Sequence, residues 1–297
     1  MGGLNRPHLY ASALYAGALA HVGRAVRVEA WDSFVIARPL PEGGGEDAAG
    51  AYPMAAFGPG ADLEGGLAAL AAAGIVSLVM VPDPFASPSP RRLATAFGLC
   101  RTFKTHYLVE SAKGVEFSKH HRDRVRRGQR RCRVERVALA DHLDVWGDLY
   151  AGLVERRAIQ GAADFTPAYF AKLAQTPELV SLAAFVDERP AAMTLWFEHA
   201  GVAYNHLTAS NAAGYANGAN FALYGAAIDH FAAAAVMNLG GGAGFEDDPE
   251  DGLAAFKRGF ANAEIKALLC GAVLDPPRYA ALAAARPATA FFPAYRG

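Results

Sequence analysis

The sequence predicts an α+β protein with a mixed sheet flanked by helices. From about residue 132 onward, apolar periodicity gives the order β-α-α-β-β-β-α-β-α-β. Hairpin-sized links at 187–190 and 199–201 favour antiparallel pairing, and a helix between two later strands favours a parallel pair. Apolar residues make up 53 % of the 297 residues and charged residues 19 %, so a sizeable core is available and disorder of the whole chain is excluded.

The first third of the chain mixes strand, helix and loop signals. The Gly-rich stretch 41–50 and the Pro/Ser-rich stretch 82–90 predict loops. Apolar content and periodicity predict a strand with a turn at 27–40, strands at 52–57, 75–81 and 105–110, and helices at 63–73 and 91–99.

A strongly basic segment follows. Residues 111–140 contain ten Lys or Arg against three Asp or Glu, a net of +7 in a chain whose formal charge is −1. The remainder therefore carries about −8, which excludes a protein that is basic throughout. A helix is expected at 118–128 and a strand at 132–137. Three interpretations remain open for 119–136: a solvated helix face, a footprint for tRNA or another polyanion, and a clamp that pairs with the acidic remainder.

The downstream elements have clear boundaries. Thr166-Pro167 is typical of a helix start, and Asp141 and Asp248-Pro249 are candidate caps. Strands are predicted at 179–186, 191–198, 202–209, 236–239 and 263–274, and helices at 141–153, after 166, from 217–220 onward, at 248–257 and at 276–284.

Cysteine usage and hydropathy limit the class of protein. Cys100, Cys132 and Cys270 lie far apart without a CxxC pair, so neither a disulfide framework nor a metal site is expected. The most apolar stretch, 66–81, is interrupted at Gly74, so no membrane span is expected. We expect a cytoplasmic protein of undetermined oligomeric state.

Residues 211–220 form a candidate donor-binding loop. The loop feeds a helix N-terminus, whose free N–H groups and positive dipole end can bind a pyrophosphate or an acyl carbonyl. An ordinary Gly/Asn turn with an Asn cap is the alternative. The residues that would bind the donor are Asn211, Gly214, Asn217, Gly218 and Asn220.

The strand before this loop carries candidate catalytic groups. Alternation places Tyr204, His206 and Thr208 on one face and Asn205 on the other. A histidine with a near-neutral pKa can act as a general base towards an ammonium nucleophile, so His206 is a catalytic candidate. It can equally be a satisfied core histidine. The hydroxyls of Tyr204 and Tyr224 are candidates to line the site, Tyr204 as a catalytic group and Tyr224 as a group that binds the acceptor.

The Gly-rich run 240–244 follows a short strand and precedes an acidic turn. No Lys-Ser/Thr pair follows it, so it is not a P-loop. Glu246 and Asp247 are candidates to bind the acceptor amine, or they solvate the loop.

Four stretches together resemble a known family. They are FSKHHRDRVRRGQRRCRVERV (117–137), YNHLTASNAAGYANGANFALYGAAI (204–228), NLGGG (238–242) and GLAAFKRGF (252–260). Their order resembles the GCN5-related N-acetyltransferase (GNAT) fold, and more closely the FemABX-type and BioF2-like acyltransferases, over about the last 180 residues. The resemblance implies two related GNAT-like units in tandem: a degenerate copy at 1–115, a connecting helix at 116–131 and an acyltransferase domain at 132–297.

The same resemblance implies transfer of an acyl or aminoacyl group to an amine of a small molecule or a cell-wall or amino-sugar compound. The donor is acyl-CoA or aminoacyl-tRNA as a co-substrate, with no tightly bound cofactor. The loop 211–220 lacks the leading Arg/Gln of acetyl-CoA-binding members, so the donor stays open. Phe256-Lys257 matches an element near the acyl donor, which makes Lys257 a catalytic and Arg258 a donor-binding candidate. A basic pair that complements a helix dipole is the alternative.

Two other function classes remain: a non-enzymatic RNA-binding module built on 119–136, and a degenerate GNAT-like scaffold that only binds a ligand. In the enzyme hypothesis, the strands ending near residues 209 and 239 are adjacent and parallel. They diverge to leave a cleft lined by Tyr204, His206, Asn211 and Tyr224.

Overall fold

The chain divides into two compact units. The computed structural model describes residues 7–114, 117–244, 247–248, 250–287 and 289–297. Unit 1 takes the chain up to Phe103 and again from Lys266, and unit 2 is Lys104–Ile265.

Eleven strands form among the described residues. They are β1 Arg24–Val28, β2 Ser33–Pro39, β3 Glu46–Gly50, β4 Ile75–Met80, β5 Leu99–Glu110, β6 Arg133–Val137, β7 Val180–Val186, β8 Arg189–His199, β9 Val202–Ser210, β10 Val236–Asn238 and β11 Ala263–Val273.

Ten α-helices accompany them within the same described ranges. They are α1 Ala13–Ala18, α2 Leu63–Ala72, α3 Pro90–Ala96, α4 Lys119–Arg131, α5 Leu143–Arg157, α6 Pro167–Leu173, α7 Ala212–Asn217, α8 Ala219–His230, α9 Gly252–Arg258 and α10 Pro276–Ala284. Across the described part of the chain, none is long and apolar enough to cross a membrane.

Unit 1 contains a mixed sheet in the order β1-β2-β3-β4-β11. The first three strands form an antiparallel meander, and α2 crosses to β4, which is parallel to β3. β11 then pairs antiparallel with β4. Apolar side chains of α2 and the sheet pack around the buried Trp31.

Two predictions for unit 1 are wrong. The expected loop 41–50 contains β3, and its buried Asp47 is tolerated because Arg38 and Arg296 both bind the carboxylate. Composition alone suggested a loop because Arg296, one of the two partners of Asp47, lies far along the chain. The expected strand 52–57 makes only an isolated bridge, between Ala55 and Pro82.

Unit 2 contains a mixed sheet in the order β5-β10-β9-β8-β7-β6. Strands β6 to β9 are antiparallel, and α7 and α8 cross to β10, which is parallel to β9 as predicted. β5 pairs antiparallel with β10. The fold class is therefore confirmed as α+β, with mixed sheets flanked by helices.

Each unit is completed by a strand from the other half of the sequence. β11 follows all of unit 2 along the chain yet pairs with β4 in unit 1, and β5 precedes α4 yet pairs with β10 in unit 2. The compact units therefore do not coincide with the predicted divisions 1–115, 116–131 and 132–297. The basic helix α4 belongs to unit 2 itself, and residues 266–297 belong to unit 1.

Candidate functional site

Strands β9 and β10 diverge at one end of unit 2. β10 is in register with β9 only as far as Asn238, which lies beside Tyr204. The amide of Leu239 then donates to the carbonyl oxygen of Tyr107 (2.9 Å), so the chain follows β5 instead. β9 continues to Ser210. A gap therefore opens between the second half of β9 and the loop after β10.

A bulge in β9 lies at the start of this gap. Asn205 and Leu207 pair with consecutive residues of β8, so His206 between them is an extra residue. Asn205 Nδ2 donates to Thr208 Oγ1 (3.3 Å), which places both on one face. The prediction that Thr208 shares a face with Tyr204 and His206 is therefore wrong, because the bulge shifts the alternation by one residue.

The face of β9 towards α8 carries a chain of polar contacts. The Tyr224 hydroxyl donates to Asn205 Oδ1 (2.9 Å), and Asn205 Nδ2 donates to Thr194 Oγ1 (2.9 Å). Thr194 and Thr208 share a hydrogen bond of 2.7 Å. Burial raises the pKa of Tyr224, so its phenol stays protonated and can donate. Sequence periodicity missed Thr194, because a buried threonine in an apolar strand carries no signal of its own.

The opposite face carries the two predicted catalytic residues of β9. His206 Nε2 and the Tyr169 hydroxyl share a 2.6 Å hydrogen bond, and Tyr204 stacks on Phe197 with ring centroids 4.8 Å apart. Burial lowers the pKa of His206 to about 3, so the imidazole is neutral and only weakly basic near pH 7. Tyr224 lies on the α8 side, so these residues do not line one wall together as the expected cleft required. Their catalytic roles stay predictions.

Two buried lysines bind the Gly-rich loop after β10. Lys257 Nζ donates to the carbonyl oxygen of Gly241 (2.8 Å). Lys104 Nζ donates to those of Gly242 (2.9 Å) and Ala243 (2.8 Å). Three successive carbonyls thus point at two ammonium groups next to the gap between β9 and β10.

This environment moves the pKa of Lys257 towards neutrality. Burial first, and the charge of Lys104 second, lower the pKa of Lys257 to about 7, while Asp251 opposes the shift. Burial also lowers the pKa of Lys104, against Asp247 and Asp251. The predicted catalytic Lys257 therefore lies against the Gly-rich loop that borders the gap, and near pH 7 its charged and neutral forms are both populated. Lys104 was missed, although a lysine shortly before the apolar run at 107–109 was a usable signal.

Asp251 connects the start of α9 to the Gly-rich loop. Asp251 Oδ1 accepts from the amides of Ala243, Leu253 and Ala254, so Asp251 caps α9 rather than the expected Asp248-Pro249. These three bonds also connect the Gly-rich loop to the helix that carries Lys257.

Of the two carboxylates predicted to bind the acceptor, the structure describes only Asp247. Asp247 accepts from both the amide (2.8 Å) and the hydroxyl (2.7 Å) of Thr105, so its carboxylate is engaged with β5. Glu246 lies outside the described residues. Arg258 is exposed at the end of α9, directly after Lys257. The substrate-binding roles of all three stay predictions.

The expected donor loop instead contains the short helix α7 and the start of α8. Asn211 Oδ1 accepts from the amide of Gly214 (3.0 Å) and caps α7, so helix begins earlier than the predicted 217–220. Gly218, with a φ of +73°, separates α7 from α8. Asn217 donates to its own helix, and Asn220 accepts from Ser210.

The glycines of this junction allow close backbone packing within the protein. A Cβ on Gly214 would lie 2.4 Å from the carbonyl oxygen of Ala191. A Cβ on Gly128 of α4 would lie 2.5 Å from that of Gly218. The basic helix therefore packs directly against the α7–α8 junction.

A small basic hollow lies where α4 meets this junction. Its volume is about 60 Å³, and the exposed Arg124 and Arg127 form one side of it. The other side consists of Tyr215, Ala216, Asn217 and Gly218. A wider and more open hollow of about 500 Å³ lies at the β7–β8 turn, beside Asn211 and Arg189.

Comparison with known proteins identifies the fold. Residues 117–258, just under half of the chain, match the family model described as an acetyltransferase (GNAT) domain. No curated protein matches the sequence. Among solved structures, FemX is similar over 92 % of this chain and 94 % of its own, with a TM-score of 0.65 and 13 % identity.

Two further solved structures share the fold over most of the chain. The C-terminal domain of a candidate lysylphosphatidylglycerol synthetase from Agrobacterium fabrum matches 93 % of this chain and 90 % of its own, with a TM-score of 0.61 and 18 % identity. L-PGS from Bacillus licheniformis matches 90 % and 94 %, with a TM-score of 0.55 and 10 % identity. Residues 117–258 therefore match the GNAT acetyltransferase domain model, and the chain shares the fold of FemX.

Proposed function

We propose that the protein is an N-acyltransferase that moves an acyl or aminoacyl group from a thioester or an aminoacyl-tRNA to an amine. The observation that carries this proposal is the buried ammonium of Lys257 beside the gap between β9 and β10. A carbonyl that develops negative charge is stabilised by donors arranged in advance in a site with little water. Lys257 in its charged form can stabilise that oxyanion or the leaving group.

The acceptor amine must attack in its neutral form. In this proposal it enters the gap against the second half of β9. Among the described residues, no strand pairs with that edge of β9 beyond Tyr204. The amides of that edge bind the acyl carbonyl, and Lys257 lies next to the reacting centre. The resemblance of the sequence to FemABX-type acyltransferases supports an amine acceptor from a small molecule or a cell-wall or amino-sugar compound.

The donor carries phosphate groups in both versions of this proposal. Arg124 and Arg127 lie exposed beside the α7–α8 junction, and guanidinium groups bind phosphate oxygens strongly. The pyrophosphate of coenzyme A and the backbone of tRNA offer the same chemistry at this position. Exposed arginines along the rest of α4, such as Arg126 and Arg130, would add contacts only for the longer polyanion.

The test compares Lys257→Ala with Lys172→Ala, an exposed lysine on α6, using one acyl-CoA and one charged tRNA as donors. Lys257→Ala is expected to lower kcat/KM at least ~10-fold, about 1.4 kcal/mol of transition-state stabilisation, while Lys172→Ala leaves it unchanged. Neutralising Arg126 and Arg130 together is expected to weaken only the tRNA reaction. Full activity of Lys257→Ala with either donor overturns the assignment.

The basic face of α4 also favours a second candidate, a polyanion-binding module without catalysis. Such a protein binds RNA with a steep salt dependence and turns over neither donor. An acyltransferase that uses a thioester instead gains thermal stability from acyl-CoA at modest salt. The two measurements on the unmodified protein separate these functions.

A further inference from the structure

Two cysteines that are 170 residues apart in sequence meet in unit 1. Cys100 lies on β5 and Cys270 on β11, and their Sγ atoms are 3.3 Å apart. Cys270 is fully buried, whereas Cys100 is partly exposed. A disulfide has an S–S distance of about 2.05 Å, so closure requires an approach of about 1.3 Å.

We propose that Cys100 and Cys270 are a modification site: a dithiol pair that a hydroperoxide converts to a disulfide. The exposed member reacts first, because the peroxide reaches only Cys100 from solvent. Cys270 lies directly behind it and resolves the oxidised product. Sequence reasoning did not pair these two cysteines because they are 170 residues apart.

The reaction balances with one hydroperoxide. The Cys100 thiolate attacks one peroxide oxygen, the O–O bond breaks, and the departing hydroxide leaves as water with the thiol proton. Cys270 then attacks the sulfenic sulfur of Cys100, the S–O bond breaks, and a second water carries away the Cys270 proton. Two thiols lose two electrons in total, and the peroxide is reduced. An added dithiol reductant restores both thiols.

Cys132 is the internal control. It is buried in unit 2, where its thiol donates to the carbonyl oxygen of Asn217 (3.8 Å). It has no thiol partner within the described residues, so it can neither form this disulfide nor resolve a sulfenic acid.

The experiment treats the fully reduced full-length chain with hydrogen peroxide, then denatures and alkylates it and measures the intact mass. Alkylation of all three cysteines is expected before oxidation and of one afterwards, with a peptide map that joins the segments around Cys100 and Cys270. Loss of the Cys132 thiol at the same rate, or absence of the joined peptide, overturns the proposal.

Two variants test the order of the steps. Cys270→Ser is expected to accumulate a sulfenic acid on Cys100 that dimedone traps, because the resolving thiol is gone. Cys100→Ser is expected to leave Cys270 reduced at the same peroxide dose. Dimedone labelling of Cys270 in Cys100→Ser to the same extent overturns the order. The peptide map of the unmodified protein decides the pairing itself whether or not either variant folds.

Discussion

The imidazole of His121 donates from Nε2 to the carbonyl oxygen of Phe256, at 2.9 Å, one residue before Lys257. The last carbonyls of a helix lack partners within the helix, so His121 of α4 satisfies one at the end of α9. Rings of Phe221, Phe256 and Phe260 surround the imidazole, and burial lowers its pKa. The basic helix is thereby fastened to the helix that carries the candidate catalytic lysine.

His121→Ala is therefore expected to destabilise the protein by about 1–3 kcal/mol, since it leaves the partly buried carbonyl of Phe256 unpaired and a cavity among the rings. His120→Ala, on the exposed face of the same helix, is the matched control and should change stability by less than about 0.5 kcal/mol. Urea denaturation of both variants measures the difference. Equal midpoints would show that His121 contributes nothing specific.

Gly259→Ala tests the same contact from the opposite side. A Cβ at this position would stand 1.9 Å from the His121 ring, whereas a Cβ at Gly252, at the start of α9, meets no atom within 4 Å. Gly259→Ala is expected to cost about 1–3 kcal/mol because the ring must move, and Gly252→Ala should be neutral or stabilising. Thermal unfolding of the two variants measures their relative stability. A Gly252→Ala protein that is less stable than Gly259→Ala contradicts this packing.

Lys104→Met is expected to shift the pH dependence of catalysis. Lys257 acts as a cation in the proposed function, so activity falls as pH rises through its pKa of about 7. Removing the nearby charge of Lys104 raises the pKa of Lys257 and moves this alkaline limb to higher pH. The pH dependence of kcat/KM with one acceptor, measured for the wild type and the variant, gives the shift. Lys104→Arg keeps the charge and should keep the profile, and an unmoved limb in Lys104→Met refutes the coupling.

His206 gives a pH dependence of stability. Its folded-state pKa is about 3, below the ordinary value of about 6.5, so between these pH values the unfolded chain binds a proton that the folded chain does not. The stability that neutral His206 contributes is therefore fully present above pH ~6.5. Below that pH, the free energy of unfolding falls by up to about 1.4 kcal/mol per pH unit. His206→Gln does not titrate. Urea unfolding at pH 7 and pH 4.5 should show a larger loss for wild type than for the variant, and equal losses exclude the effect.

Much of the fold of unit 2 could be predicted, because its signals are local. The Thr166-Pro167 helix start and the short links around β8 each lie within a few residues of the elements they define. The parallel neighbour of β9 followed from a helix between two strands. In unit 1, Pro276 likewise marks the start of α10.

The features that sequence reasoning missed depend on partners far along the chain. The bulge at His206 is a property of register, which alternation within one strand does not contain. β3 was missed because Asp47 is paired by Arg296 at the other end of the sequence. Lys104 was missed because its partner, the Gly-rich loop, lies about 140 residues later in the sequence.

Unit 1 cannot complete its sheet until β11, which lies late in the sequence, has been synthesised. The ribosome releases β4 long before β11, so the nascent N-terminal portion has one edge of β4 uncovered. An uncovered strand edge is a template for pairing with another chain. Unit 1 therefore completes its folding last although it is begun first, and a fragment that stops at residue 115 keeps that edge open permanently.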